Sequence, residues 1–319
     1  MNRRVFLAGG IIAIIATKVG QAQTSRRRRI ALLTPGADPG RPVFAAFREA
    51  MRALGHPDGG DVVIELHLAA GDTERLTALA RELVRTEVDV IVADGGAAVD
   101  AARAATRRLP IVGLIGGDPV ERGVVTSLAR PGGSVTGVTI YSLDLGPKQV
   151  ELLREIQPDL KQVMLLSGLP DVVHETLEAG RRLGLNAIAV PARVPAEIER
   201  ALAPSALAGF DGVIVMPGPE VASHRITVVA QINKARKPAV YPDRDFVFAG
   251  GLASYGTDIS DVYRRLARYV DRILRGANPA ELPVERPERI ELIANLRTAR
   301  ALGLTIPQSI LARADEVIE

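Results

Sequence analysis

The sequence predicts an α/β protein of two similar lobes, each a doubly wound parallel sheet, joined by a hinge of several chain crossings. Three observations predict it. Short β-branched runs alternate with helical stretches, the alternation restarts near residue 144 with matching stations, and 319 residues suit two domains of roughly 100–150 residues each.

The first half is read in order. Arg29-Ile30-Ala31-Leu32-Leu33 is a buried strand ended by Thr34-Pro35-Gly36, and Pro42 to Leu54 carries apolar residues at Val43, Phe44, Phe47, Met51 and Leu54 with a helical period. Strand 61–68, helix 72–86, strand 88–93, helix 96–107 and strand 110–115 follow. Apolar strands separated by helices of about 10–15 residues give a parallel sheet covered on both faces.

The second half repeats the pattern: helix 144–156, strand 161–166, helix 171–183, strand 186–190, helix 195–203, strand 211–215, helix 219–235 and strand 238–241. Arg29–Leu33 answers Gln162–Leu166, Asp89–Val92 answers Asp211–Val215, and Leu109-Pro110-Ile111-Val112 answers Lys237-Pro238-Ala239-Val240. A single large doubly wound sheet is the alternative these residues leave open. Two lobes are favoured by what comes next. Gly250 to Gly256 is a glycine-flanked extended segment after the second sheet reads as complete, helix 258–275 follows, and Pro283 to Ile293 is extended again. With a crossing near 137–141 these form a hinge around a small-ligand cleft.

Composition excludes several classes. Hydrophobic residues make up 47% and charged ones 24%, a globular balance, while 3% aromatics and no Trp argue against stacking platforms for nucleic acid. The net charge of +3 sits at the start. Arg3, Arg4 and Lys18 lie in 1–22 without an acid, and removing these three of 40 basic residues leaves 37 against 37 acidic ones. A neutral body has no electrostatic footprint for nucleic acid or an anionic membrane, and Arg26–Arg29 reads as a solvated tail. The absence of cysteine excludes thiol catalysis, disulfides and a lipid-modified cysteine.

The first residues read as an export address. A basic start at Arg3-Arg4, an apolar run from Val5 to Ala16 and small residues Gly20-Gln21-Ala22 give a secretory signal over 1–22, with cleavage after Ala22. The run falls short of the ~20 residues that span a bilayer. Arg3-Arg4-Val5-Phe6-Leu7 also resembles a twin-arginine signal, so the export route stays open.

Catalytic constellations are scarce. No phosphate-binding G-x-x-x-x-G-K-[ST] loop, no G-x-G-x-x-G after the first strand and no G-x-S-x-G elbow occurs, and His56, His67, His174 and His224 lack metal spacing. Gly132-Gly133 and Gly137 read as a turn after Pro131. No enzyme, cofactor or metal is expected.

Instead the chain offers loops at strand carboxyl ends, where open α/β sheets bind ligands. In the first half these hold Thr34, Gly36, Asp94, Gly95, Gly96, Ala97, Gly117 and Asp118, and in the second Ser167, Gly168, Met216, Pro217, Gly218, Tyr241 and Asp243. Gly95-Gly96-Ala97 precedes a helix, so its N–H groups can take a carboxylate, and Asp118 can pair with a ligand ammonium. Any one loop alone also reads as turn punctuation; six on matching edges point to a cleft.

Leu128-Ala129-Arg130-Pro131-Gly132-Gly133-Ser134-Val135-Thr136-Gly137-Val138-Thr139 resembles a signature of bacterial ABC-transporter substrate-binding proteins. So do Gly250–Gly256, Ala299-Arg300-Ala301-Leu302-Gly303-Leu304-Thr305-Ile306-Pro307 and Leu311–Ile318. The resemblance runs from about Arg29 to the end. It implies a type I periplasmic-binding-protein fold, two α/β lobes with a three-segment hinge closing on ligand, and it places 23–139 plus 256–284 in one lobe and 140–255 plus 285–319 in the other. It implies the periplasmic, solute-binding component of an ABC-type importer, working with membrane permease subunits. Some members are similar to binders of tryptophan, tyrosine or other amino acids, so the expected ligand is a small polar molecule, amino acids among the candidates. Tyr141 and Tyr241 are the candidates for ring contacts or for hinge packing. A periplasmic sensing module is the alternative role. A DNA-binding regulator of similar core would carry a helix-turn-helix where the signal stands.

Overall fold

The computed structural model describes residues 26–139, 145–168, 173–287 and 289–319. The expected signal at 1–22 and Tyr141 lie outside the described residues.

The first sheet is built from β1 (Arg28–Thr34), α1 (Pro42–Ala53), β2 (Val62–Leu68), α2 (Thr73–Arg85), β3 (Val90–Asp94), α3 (Gly96–Ala105), β4 (Ile111–Ile115) and β5 (Val135–Thr139). Its strands run in the order β2-β1-β3-β4-β5, all parallel. Alternate residues of one strand face opposite layers. Ile30 and Leu32 join Phe44, Phe47 and Met51 on one side, while Ala31 and Leu33 join Leu76, Ala80 and Leu83 on the other. Both faces are therefore dry, which is why these strands read as continuous apolar runs.

The second half supplies α4 (Leu145–Ile156), β6 (Gln162–Ser167), α5 (His174–Arg182), β7 (Asn186–Pro191), α6 (Pro195–Ala201) and α7 (Pro204–Leu207). It continues with β8 (Gly212–Val215), α8 (Pro219–Ser223), α9 (Arg225–Lys234), β9 (Ala239–Tyr241), α10 (Arg244–Phe248) and β10 (Ala253–Thr257). α11 (Ile259–Leu274) then returns to the first sheet, and β11 (Ile290–Asn295), α12 (Leu296–Leu302), α13 (Gln308–Leu311) and β12 (Glu316–Ile318) complete the second. The second order is β12-β11-β10-β9-β8-β6-β7. Its stretch β7-β6-β8-β9-β10 repeats β2-β1-β3-β4-β5 station for station, so there are two sheets, not one.

The return of α11 is driven by its apolar stripe. Val262, Tyr263, Leu266, Ala267, Tyr269 and Val270 are buried with α1 in the first core, and Phe44 meets Tyr263 edge-on with ring centroids 6.0 Å apart. The chain leaves β5 at Thr139 for α4, returns between β10 and α11, and crosses again before β11. On that last passage Glu285 lies along β5, donating its N–H to Gly137 and accepting from Thr139 through its carbonyl.

Four expectations are corrected. Helix 219–235 is two helices that break at His224, where φ −101° and ψ 13° leave the helical basin. Residues 253–257 are not a crossing after a finished sheet but β10, paired in parallel to β9. The second sheet is not wholly parallel, because β11 runs antiparallel to β10. Gly137 belongs to β5 rather than to a turn. It pairs with Gly113 at φ 136°, and a Cβ there would fall 2.1 Å from the Gly113 carbonyl oxygen, so only glycine lets the two backbones approach.

Candidate functional site between the lobes

The carboxyl ends of both sheets face each other across a cavity that, with its open mouth included, encloses about 830 Å³ of space. The first lobe lines it with Pro35, Arg41, Val43, Asp94–Ala97, Leu114 and Gly116, and the second with Pro217–Pro219, Ala222, Arg225, Pro242, Asp243, Asp245 and Phe246; Ile259 adds the start of α11.

On the first side, Asp94 ends β3 and is almost fully buried. Its Oδ2 accepts from the Thr34 hydroxyl at 2.7 Å and pairs with the Arg41 guanidinium, which lies just ahead of α1 and over the Phe44 ring. Burial works against the Arg41 charge, but Asp94, Tyr263 and Asp243 outweigh it and hold the guanidinium firmly protonated. Asp94 Oδ1 meets no donor at full hydrogen-bond geometry among the described residues, and the buried Tyr263 hydroxyl interacts with Asp94 and Arg41 beside it. At the cavity wall, α3 opens at Gly95, whose φ of 90° suits glycine, and its first N–H groups lie at the positive end of the helix.

The second side is acidic. Asp243 caps α10, accepting the Asp245 N–H at 3.0 Å. Burial pushes its carboxyl up to about 7, the Asp245 charge adds to this, and Arg41 and Arg225 oppose it. Burial raises Asp245 as well, against Arg225 and Arg41. Arg225 is committed elsewhere: its Nη1 donates to Asp38 Oδ2 of the first lobe at 2.9 Å, and that partner holds Asp38 below the usual carboxylate range despite burial.

The lobes are in contact around the cavity. The Ala37 N–H donates to Ser223 Oγ at 3.2 Å, and Cβ atoms on Gly36 and Gly95 would meet Ser223 Oγ at 2.3 Å and Pro219 Cγ at 2.9 Å. The cleft is closed.

Of the expected site residues, Asp94, Gly95, Gly96, Ala97, Pro217, Gly218 and Asp243 come together in the lining. Thr34 stands behind Asp94, and Gly36 forms the lobe contact. Gly117 is a turn residue at φ 69° against the Arg122 side chain. Asp118 does not reach the cavity: its Oδ1 accepts the Val120 and Glu121 N–H groups, which also hold it below the usual carboxylate range. Ser167 is buried at the end of β6, Gly168 adjoins the Ala192 carbonyl, and Met216 is a core side chain. Tyr241 is buried too; its ring stacks on Phe246 at 5.4 Å, and Phe246, not Tyr241, meets the cavity.

The residues missed were Arg41, Val43, Leu114, Ala222, Arg225, Asp245, Phe246 and Ile259. Arg41 had a signal, being a lone cation between the β1 loop and an otherwise apolar helix face. Arg225 had none, because the helix break at His224 that aims it was unread.

Two like lobes enclosing a cavity at their strand ends define the type I periplasmic-binding-protein fold, an architecture that captures ligands. The chain belongs to the ABC transporter substrate binding protein family, whose model matches residues 38–318. It is similar to a tyrosine-binding protein of Clostridioides difficile, 26% identical over 265 residues that span 81% of this chain and 75% of the relative. A Streptococcus pneumonia domain solved with L-Trp superposes with a TM-score of 0.81 at 26% identity, covering 92% of this chain and all of that one. A 5-methylthioribose-binding protein of Thermotoga lettingae shares the fold, with a TM-score of 0.59 at 17% identity over 89% of this chain and 95% of that one. Proteins of this family bind small solutes and act outside the cytoplasm, and no described helix is long and apolar enough to cross a membrane.

Proposed function

We propose that the chain is the solute-binding component of an ABC-type importer, delivering an amino acid to membrane permease subunits. The observation that carries this reading is the paired chemistry of the cavity. Asp243 and Asp245, with Oδ1 of Asp94, suit an ammonium, and the N–H groups opening α3 suit a carboxylate. The remaining wall is apolar, with Val43, Leu114, Phe246 and Ile259 among prolines, which suits an apolar side chain. The printed ligands of the two relatives, tyrosine and L-Trp, support the same class.

The lobes divide close to 23–139 plus 256–284 and 140–255 plus 285–319, with β10 keeping Gly256 and Thr257 on the second lobe, and they close by a hinge motion that selects the ligand-bound form. The packing of α11 on α1 supports this division. The basic and apolar start at 1–22 is a signal peptide that directs the protein to the periplasm, and the paired Arg3-Arg4 leaves both export routes open.

The test is a thermal-shift screen of the mature protein against L-amino acids, joined to mass spectrometry of ligand retained by protein purified from its native periplasm. Apolar and aromatic L-amino acids are expected to raise the melting temperature. A protein that no amino acid stabilises, carrying a retained ligand without an amine, would overturn the ligand class.

A further inference from the structure

We propose that closure of the cleft takes up a proton at Glu220, so that ligand capture is coupled to the acidity of the medium. The proposal rests on the reading of the molecule as two lobes that open and close. Glu220 is not part of the cavity lining. It sits on α8, 5% exposed, where the second lobe meets the turn between β2 and α2 of the first. A Cβ on Gly71 of that turn would stand 3.4 Å from both Glu220 Cδ and Oε1, and 2.9 Å from Pro195 at the start of α6. The first lobe thus forms one wall of the carboxylate's enclosure.

Neither carboxylate oxygen has a hydrogen-bond donor among the described residues. His224 Nδ1 stands 3.3 Å from Oε1 but is turned to the Glu220 main-chain carbonyl at 3.0 Å. Three charged groups on the surrounding elements are engaged with other partners. Asp72 caps α2 through the Glu74 and Arg75 N–H groups, Glu197 is paired with Arg193, and Arg225 with Asp38. An unpaired buried carboxylate is costly as an anion and far less so as an acid. Burial accordingly raises Glu220 above the ordinary range, with His224 opposing.

Opening the lobes removes the Gly71 wall and returns the carboxylate to water. The closed form then binds more protons than the open form between the ordinary value of about 4.3 and the raised closed value. Within that window closure is favoured as pH falls, by up to about tenfold per pH unit for one proton. Below the window both forms are protonated and above it both are ionised, so the coupling is flat. By reciprocity, a ligand that binds the closed form draws a proton in with it.

The test uses the absence of native cysteine. Gly36→Cys with Ser223→Cys places a thiol pair across the closure, locked when oxidised and free when reduced. Carbon-13 NMR of glutamate carboxyls, titrated in both redox forms without ligand, is expected to show one glutamate whose midpoint is higher in the locked form. Glu220→Gln, made in the same background, is expected to remove that signal. The proposal is overturned if no glutamate titration moves between the forms, or if the moving signal persists in Glu220→Gln. The experiment needs no ligand. A failed amino-acid screen therefore leaves this coupling standing, and an unmoved titration leaves the amino-acid reading standing.

Discussion

The two lobes agree where their strands begin and differ where their strands end. At the amino ends, Asp89 and Asp211 occupy the same station: each accepts main-chain N–H groups from the strand beside it, at Arg29 in one lobe and at Lys161 and Gln162 in the other. Each also donates its own N–H to the paired carbonyl, of Arg29 or Gln162, at 2.8 Å. The Pro110 and Pro238 carbonyls repeat the likeness, accepting from Ile91 and Val213 at 3.0 Å. At the carboxyl ends the first lobe presents an acid already paired to arginine, and the second presents acids that burial holds high. A duplicated scaffold keeps what its shared strands require, and within those strands it diverges at the edge that meets the ligand.

The largest effect is expected at the paired end. Asp94→Ala removes the partner of Arg41, a guanidinium only 7% exposed, and leaves a buried charge uncompensated. Such losses cost about 3–5 kcal/mol. Urea unfolding measures it, and a cost under about 1 kcal/mol would mean that water reaches Arg41 and the first lobe's acid is no more locked than the second's.

Asp243→Asn should act in the opposite direction. The carboxyl of Asp243 is pushed up to about 7 when folded, against about 3.9 in an unfolded chain. The folded protein therefore holds the extra proton between those values. Stability is greatest below the lower one, falls as pH rises toward about 7, and stays low above it. Asparagine keeps the cap on α10 and removes the charge, so the variant should be more stable than the parent by roughly 1–3 kcal/mol at pH 8 and equal to it near pH 4. Calorimetry at the two pH values checks this. The same substitution should weaken an amino-acid ligand at least tenfold by removing the anion that meets its ammonium. In the parent, ionisation of Asp243 strengthens that ligand as pH rises toward about 7 while proton loss at Glu220 opposes it, so Glu220→Gln should steepen the rise and Asp243→Asn should abolish it.

Legibility in the sequence followed the same division. The matched runs at Arg29–Leu33 and Gln162–Leu166, and the Asp and Pro stations after them, were readable because a buried parallel strand must be apolar on both faces and its ends must be tied. β5 and β10 were not, since Gly137 and Gly256 serve close backbone approach and leave no apolar period to read. A Cβ on Gly256 would fall 1.8 Å from the Pro242 carbonyl oxygen. The glycine loops of the cavity were found because punctuation shows in composition. Its charges were half missed, because Arg41, Arg225 and Asp245 come from the first residues of helices and are aimed by tertiary packing.

The smallest effect is the sharpest test of the likeness itself. Asp211 Oδ2 takes two N–H groups, from Gln162 at 2.8 Å and Lys161 at 2.9 Å, whereas Asp89 Oδ2 takes one, from Arg29 at 2.7 Å. Asp89 gains instead an ion pair with Arg28 at 3.5 Å, exposed and thus weak. Asp211→Ala should therefore cost more, about 1–2 kcal/mol against about 0.5–1 for Asp89→Ala. The two N–H bonds hold Asp211 below the usual carboxylate range, Gln162 contributing most. Its contribution is then complete above about 3.9 and lost as pH falls through the lower folded value, so the cost of Asp211→Ala should fade in acid. Urea unfolding of both variants at pH 7, and of Asp211→Ala again near pH 2.5 if the parent remains folded there, measures the difference. If Asp89→Ala proves the costlier, the exposed Arg28 pair outweighs a second hydrogen bond, and the two stations are alike in position but not in what holds them.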